Sequence, residues 1–279
     1  MMRELDPECK PKSKSEPKIE SNFKAELEEL KKSVSELIEK GKTNPEYAKE
    51  IMRFFYSRIE DFANFDHFRE VRAGKPEAIF APGKSKEDLL KIIESVLRNS
   101  DGVLITKASE EQITAIKEKF DKVFVNDKSR TIIVGEKRKF SGKVAVVSAG
   151  TSDIPIAEEA VTTAEFLGLE VIKFYDVGVA GIHRLIHPIK EIVESDVDSI
   201  IVVAGMEGAL PSVIAGLVDV PIIAVPTSVG YGTNLSGITT LFAMLQSCSS
   251  GVAVVNIDNG FGAGVFAYMI SRIRRRGFK

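Results

Sequence analysis

Four residues of this 279-residue chain stand where proton or nucleophilic chemistry could use them: Glu207, Asp153, His183 and Cys248. Glu207 lies in IIVVAGMEGALP, residues 200–211, where an apolar run enters a glycine turn and then a helix start with Pro211 in its first turn. A strand that passes into such a turn leaves backbone N–H groups unpaired, which makes an anion site. A carboxylate at that positive end is either a cap or a base, and the turn alone leaves both open. Asp153, in SAGTSD, either complements the following helix dipole, with Ser152 as cap, or makes a polar or metal-assisted contact to a ligand. His183, in GVAGIHRL beside Arg184, is a candidate acid, base or anion contact. His187 precedes Pro188 and reads as a capping or packing residue. Cys248, in LQSCSSGVAVV, is either a small buried hydrophobe or, given its serine neighbours, a thiol with work to do. Cys9, by contrast, reads as an incidental exposed thiol.

Four expected strands end in glycine-rich turns. They supply Ser148, Gly150, Thr151 and Ser152; Gly205, Met206 and Gly208; Thr227, Ser228, Gly230 and Gly232; and Asn259 and Gly260. In open α/β sheets the ligand lies outside the carboxyl ends of the strands. Four such turns on one rim, with hydroxyls interleaved, favour a phosphorylated ligand. None is a G-x-G-x-x-G, which argues against an ordinary nicotinamide dehydrogenase. Gly83-Lys84-Ser85 resembles the end of a P-loop, but no glycine stands five residues earlier. In DHFREVRAGKPE, Arg69 and Arg72 either hold a phosphate or carboxylate or decorate a solvated helix end.

The elements that must position these residues follow from the hydrophobic pattern. Residues 1–22, rich in Lys, Glu, Ser and Pro, predict a disordered charged tail. Residues 23–140 predict N-terminal helices and a small α/β domain. One helix carries Leu27, Leu30, Val34, Leu37 and Ile38, and a second carries Tyr47, Ile51, Phe54, Phe55, Ile59 and Phe62. EKRKFSGK, residues 136–143, reads as a charged hinge. Residues 141–279 alternate uniformly apolar strands with helices, as in a parallel sheet covered on both faces. The fold class is therefore α/β, a doubly wound parallel sheet preceded by a smaller α/β domain and N-terminal helices. Cys248 falls at a helix-to-strand edge, opposite the glycine turns of its own chain. A catalytic Cys248 would then serve a site completed by another subunit.

Composition narrows the classes. A net charge of −2 argues against a nucleic-acid partner, and no apolar run reaches the length a membrane helix needs, so no membrane partner is expected. The first residues lack the apolar core of a secretion signal, and two cysteines make no disulfide framework, which points to the cytoplasm.

GTSD, GIHRL, AGMEGALP and NLSGITTLFAMLQSC together resemble the aminoimidazole ribonucleotide carboxylases and mutases, the PurE-like superfamily. YDVGVAGIHRL, GMEGALPSV, PTSVGYG and VVNIDNGFGAG are similar to one branch of it, the LarB family of nickel-pincer cofactor synthesis. RAGKPEAIFAPGK and DGVLITKAS resemble that family's amino-terminal part. The resemblance implies carboxylation of the pyridinium ring of nicotinic acid adenine dinucleotide at C5 from CO2 or bicarbonate. It also implies hydrolysis of the phosphoanhydride to release AMP, leaving pyridinium-3,5-biscarboxylic acid mononucleotide. Cys248 would be the nucleophile and Glu207 the base, with Mg2+ on the pyrophosphate and Asp153 and Asp258 as metal or water contacts. It further implies a homo-oligomer, an octamer in the superfamily, and favours ligand roles for Arg69 and Arg72.

Two other readings stand beside it. A purine-pathway carboxylase or mutase acts on a substrate with a built-in enamine and needs no thiol. A non-catalytic nucleotide sensor would use the same anion turns and tolerate loss of Cys248.

Overall fold

The computed structural model describes residues 74–98 and 100–276, the helical residue Glu36, and the backbone of Ser57–Ile59 and Ala63–Phe65. The expected charged tail, most of the two N-terminal helices, Cys9, Arg69 and Arg72 lie outside the described residues. One compact unit spans Tyr56–Lys279. Its first strands, β1 (Ser57–Ile59) and β2 (Ala63–Phe65), pair antiparallel with Ser57 opposite Phe65. The helix expected to continue through Ile59 therefore does not do so; Phe62 lies outside the described residues. The stretch is short and rich in aromatic and β-branched residues, which suit a pleated surface as well as a helical stripe, and pairing decides between them.

A small mixed sheet comes next, made of β3 (Ala78–Phe80), β4 (Gly102–Thr106), β5 (Val123–Asn126) and β6 (Thr131–Gly135) in the order β3-β4-β6-β5. β3 and β4 are parallel, and β6 runs antiparallel to both of its neighbours. β3, β4 and β5 thus all point the same way. Helix α1 (Lys86–Leu97) begins where Ser85 accepts the Asp88 N–H, and α2 (Glu110–Lys119) begins in a capping box of Ser109 and Gln112. Leu89, Ile93 and Ile116 of these helices bury themselves with Val103, Ile105, Ile132 and Val134. Each such side chain stabilises the fold by roughly 1.5–3 kcal/mol.

The second half holds five parallel strands: β7 (Lys143–Ser148), β8 (Glu170–Phe174), β9 (Ser199–Ala204), β10 (Ile222–Pro226) and β11 (Val252–Val254). Their order is β8-β7-β9-β10-β11, so the chain reverses direction across the sheet between β7 and β9. That reversal marks the crevice where doubly wound sheets take their ligand. The strands alternate faces as the pleat requires. Val144, Val146, Ile201, Val203, Ile223 and Val225 meet helices α3 (Ile154–Phe166) and α7 (Gly260–Arg276). Ala145, Val147, Ile200, Val202 and Ala224 meet the side covered by α4 (Ile186–Glu194), α5 (Leu210–Ala215) and α6 (Ile238–Leu245).

α3 has no free face. Leu104 and Ile133 of the small sheet join Ala157, Ala160, Val161 and Ala164 of α3 in the core of the second half. On its other side α3 touches α7 so closely that a Cβ at Gly264 would lie 2.8 Å from Thr163 Cβ, and one at Gly260 would collide with the Ile156 carbonyl. Two of the glycines in NGFGAG thus serve helix packing.

Candidate active site

The turns after β7, β9, β10 and β11 do converge on one rim, and Asp153 is their brace. It is 4 % exposed, at the end of a 3-10 turn (Thr151–Asp153) that leads into α3. Its Oδ2 accepts the Gly150 N–H at 2.9 Å and its Oδ1 the Thr227 hydroxyl at 2.7 Å. The Gly205 N–H also stabilises its charged form. Burial dominates nonetheless and raises the carboxyl above the usual range, with Asp258 adding to the rise. Ser152 makes no cap; Thr151 and Ser152 stay exposed beside the brace.

Ser148 is buried, and its hydroxyl and carbonyl accept the N–H groups of Asp176 and Val177. The turn after β9 is built from Met206 and Gly208, both at positive φ, with the Gly208 N–H closing back on the Gly205 carbonyl at 3.0 Å. This twist exposes Glu207. No described hydrogen bond or ion pair engages its carboxylate, so it caps nothing here. Thr240, in the first turn of α6, donates to the Met206 carbonyl, and Met244 one turn on packs over Gly208.

The next turn carries more strain. Leu235, Ser236 and Gly237 are consecutively left-handed, which is why α6 begins only at Ile238. Asn234 holds this segment: its amide donates to the Ser228 carbonyl, and its side-chain oxygen lies 2.9 Å from the Thr240 hydroxyl. Gly230 abuts Asn234, while Gly232, at positive φ, faces open space. Ser228 donates its N–H to Asp258 Oδ1 at 2.8 Å, joining the turns after β10 and β11. Asn259 accepts the Gly262 N–H at 2.7 Å and so caps α7 beside Gly260.

His183 lies exposed in a 3-10 stretch (Val179–Leu185), ahead of α4 and not in its first turn. Its neighbour Arg184 holds the Asp176 carboxylate at 3.2 Å. His187 faces Glu191 at 3.7 Å on an exposed surface.

Cys248 is a free, exposed thiol. Its loop is pinned by Ser247, which shares a 2.7 Å hydrogen bond with Ser212, and by Ser249, which donates to the Ser212 carbonyl. Thr240, Met244 and Ser247 thus meet Met206, Gly208 and Ser212 in turn, so α6 runs alongside the segment that carries Glu207. Cys248 lies three residues past the end of α6 at Leu245, in the loop that leads to β11.

The sequence pattern did not single out four participants. Glu158 accepts from Asn126 at 2.6 Å and from the Tyr175 hydroxyl at 2.9 Å. Burial, followed by Glu158, raises the Tyr175 hydroxyl far above its ordinary value. Glu159, 2 % exposed, accepts the Phe261 N–H, and burial raises its carboxyl while Lys107 opposes that rise. Lys107 donates to the Asp258 carbonyl at 2.9 Å. Two adjacent acids in IPIAEEAVTTAEF, flanked on both sides by alanine, were the available signal.

Among the described residues no group of three His, Cys, Asp or Glu side chains could hold a metal ion. Both Asp153 oxygens are taken, and a protein-built Mg2+ site does not fit this rim. Nor is any described helix long and apolar enough to cross a membrane.

The family model of AIR carboxylase matches residues 143–279, the five-stranded half with all four turns. The N5-carboxyaminoimidazole ribonucleotide mutase of Methanocaldococcus jannaschii is 34 % identical over 133 residues, 47 % of this chain and 80 % of its own length. This chain belongs to the AIR carboxylase family. A second model, the LarB/PurE-like N-terminal domain, matches residues 56–137. An uncharacterized protein of the same archaeon is 46 % identical over 241 residues, 83 % of this chain and 92 % of its own. Among solved structures, Treponema denticola PurE covers 48 % of this chain and 94 % of its own at 19 % identity, with a TM-score of 0.36. In this AIR carboxylase family member, Lys107 and Asn126 both come from the LarB/PurE-like N-terminal domain and touch the turns or helix of the carboxylase half.

Proposed function

We propose that the protein is a pyridinium carboxylase of the LarB type, acting on nicotinic acid adenine dinucleotide with CO2 or bicarbonate. The observation that carries this reading is the exposed, serine-pinned Cys248 in an AIR carboxylase family member that also exposes Glu207 beside the switch point. A mutase acting on an aminoimidazole needs no thiol, because its substrate already contains an enamine. A pyridinium ring is electron-poor and does not attack CO2.

The chemistry follows from that difference. The Cys248 thiolate adds at C4 of the ring, and the ring nitrogen takes up the electron pair. C5 becomes the nucleophilic carbon of a dihydropyridine and forms a bond to CO2. Glu207 then removes the C5 proton, the C4–S bond breaks, and the thiolate leaves with its electron pair as aromaticity returns. The N–H groups of the glycine turns bind the pyrophosphate, and water cleaves the phosphoanhydride to release AMP. The Mg2+ implied by the resemblance would have to be carried by the ligand's own phosphates.

Cys248 and Glu207 belong to different copies in this proposal. Within one chain α6 separates them, while Ile238, Phe242 and Leu245 of the same helix are 44 %, 62 % and 60 % exposed. That stripe at helical spacing suits burial against a second copy. A homo-oligomer seated there would bring one protomer's Cys248 toward its partner's rim.

Identity to the archaeal mutase supports a second reading, an aminoimidazole ribonucleotide mutase. Incubation with nicotinic acid adenine dinucleotide, bicarbonate and Mg2+, followed by mass spectrometry, separates the two. The expected products are AMP and a doubly carboxylated mononucleotide. Turnover of carboxyaminoimidazole ribonucleotide without those products would replace the first reading by the second.

A further inference from the structure

We propose that Lys107 is a positioning residue, through which the small sheet holds the Asp258–Ser228 junction of the ligand rim in place. The proposal rests on the reading that the turns after β10 and β11 bind the ligand, and it adds to that reading the reason the N-terminal domain is part of the site.

The geometry begins at the end of β4. Lys107 follows Thr106 directly and adopts a left-handed backbone, φ 56°. A lysine in that region is strained, and the surrounding structure must over-determine it. The turn sends the half-buried side chain across to the carboxylase half, where its ammonium donates to the carbonyl of Asp258, 151 residues away, at 2.9 Å. Asp258 is itself left-handed, φ 54°. Both ends of this one contact therefore occupy strained backbone, and such strain gathers where geometry is held for a purpose.

Asp258 passes the constraint on. Its N–H donates to the Pro226 carbonyl at 2.9 Å, and its carboxylate accepts the Ser228 N–H at 2.8 Å. Residues 226–228 and 258 thus form a closed pair of contacts, and Lys107 pins the remaining polar group of Asp258 from outside. The Lys107 loop is fixed in turn, because the Ala108 N–H donates to the Arg130 carbonyl at 3.0 Å. Arg130 belongs to the β5–β6 turn, which follows Asn126, and Asn126 donates to Glu158 of α3. The ammonium also acts on the charge of buried Glu159, so its charge as well as its hydrogen bond favours this placement. Lys107 does not touch the rim's candidate ligand atoms. It acts through Asp258 on Ser228.

The test uses the full chain as wild type, Lys107→Met and Lys107→Arg. Hydrogen exchange is followed by mass spectrometry alongside steady-state kinetics with nicotinic acid adenine dinucleotide. In Lys107→Met, amides of residues 227–232 and 256–262 should exchange about tenfold faster while α1, α2 and the central strands keep wild-type protection. KM should rise about tenfold with kcat within about twofold, the mark of a misplaced binding turn. Lys107→Arg, which keeps charge and donors, should restore both. Unchanged exchange in the two turns overturns the proposal. So does a loss of protection spread over the whole unit, which would make Lys107 a general stabiliser, or an arginine variant as loose as the methionine one. If the wild type fails to turn over the dinucleotide while the local exchange pattern appears, the carboxylase reading fails and the role of Lys107 stands.

Discussion

Thr227 donates its hydroxyl to Asp153 at 2.7 Å across 74 residues of sequence, both side chains being buried. The bond joins the turns after β7 and β10 over the switch point, and it favours the ionised form of a carboxyl whose pKa burial raises.

Thr227→Val should therefore destabilise the protein in a pH-dependent way. The folded-state pKa of Asp153 lies above its unfolded value, so ionising it in the fold costs stability as pH rises through that range. Removing the hydroxyl enlarges that cost. The deficit of the variant should be small near pH 3.5–4 and grow to about 1–3 kcal/mol at neutral pH. Denaturant titrations at several pH values check this; a deficit that is constant or larger in acid contradicts it.

Glu207→Gln separates base from cap. The exposed carboxylate has no described partner, so the melting temperature should stay within about 1 °C of the wild type. Turnover should fall by about 10²–10⁴-fold. A fall in stability with turnover intact would return Glu207 to a structural role.

Cys248→Ser should bind the dinucleotide without turning it over or forming an adduct. If Cys248 and Glu207 meet across copies, mixing dissociated Cys248→Ser and Glu207→Gln chains and letting them reassociate should recover activity. Recovery should approach about a quarter of wild type, since random pairing returns one intact site in four. Two inactive proteins that stay inactive when mixed, with mixed oligomers confirmed by native mass spectrometry, would place both residues in one chain.

Ser236→Gly should stabilise the protein by up to about 1 kcal/mol, because Ser236 sits at φ 55° between two other left-handed residues. Thermal melts report the sign. A decrease would mean that contacts of the serine side chain outweigh its backbone strain.

How much of the fold and the site was legible in the sequence depended on whether a residue's neighbours were near along the chain. The apolar runs Ile200–Ala204 and Val144–Ser148 declare buried strands because nothing polar interrupts them, and the structure pairs them side by side. The glycine turns were legible for the same local reason. Ile59 misled because an apolar residue there fits either period and only pairing with Ala63 decides. Glu158, Glu159 and Lys107 stayed silent because their meaning lies in partners such as Tyr175, Phe261 and Asp258 on other elements. The late start of α6 at Ile238 was not legible because a left-handed Leu235 looks, in sequence, like any other leucine.

α3 carries a consequence for how such a protein can be cut or inherited. A helix on the outside of a lone α/β domain offers a polar face to water, yet Ala157, Ala160, Val161 and Ala164 are buried while Leu104 and Ile133 arrive from the small sheet. Severing the chain near residue 140 would leave a greasy wall on the fragment that keeps the rim, with two buried acids, Glu158 and Glu159, stranded in it. Ownership of the N-terminal domain is thus written in the helix it covers. A carboxylase half that lives alone must have repainted that helix, and one whose helix reads like IPIAEEAVTTAEF has lost the option of solitude.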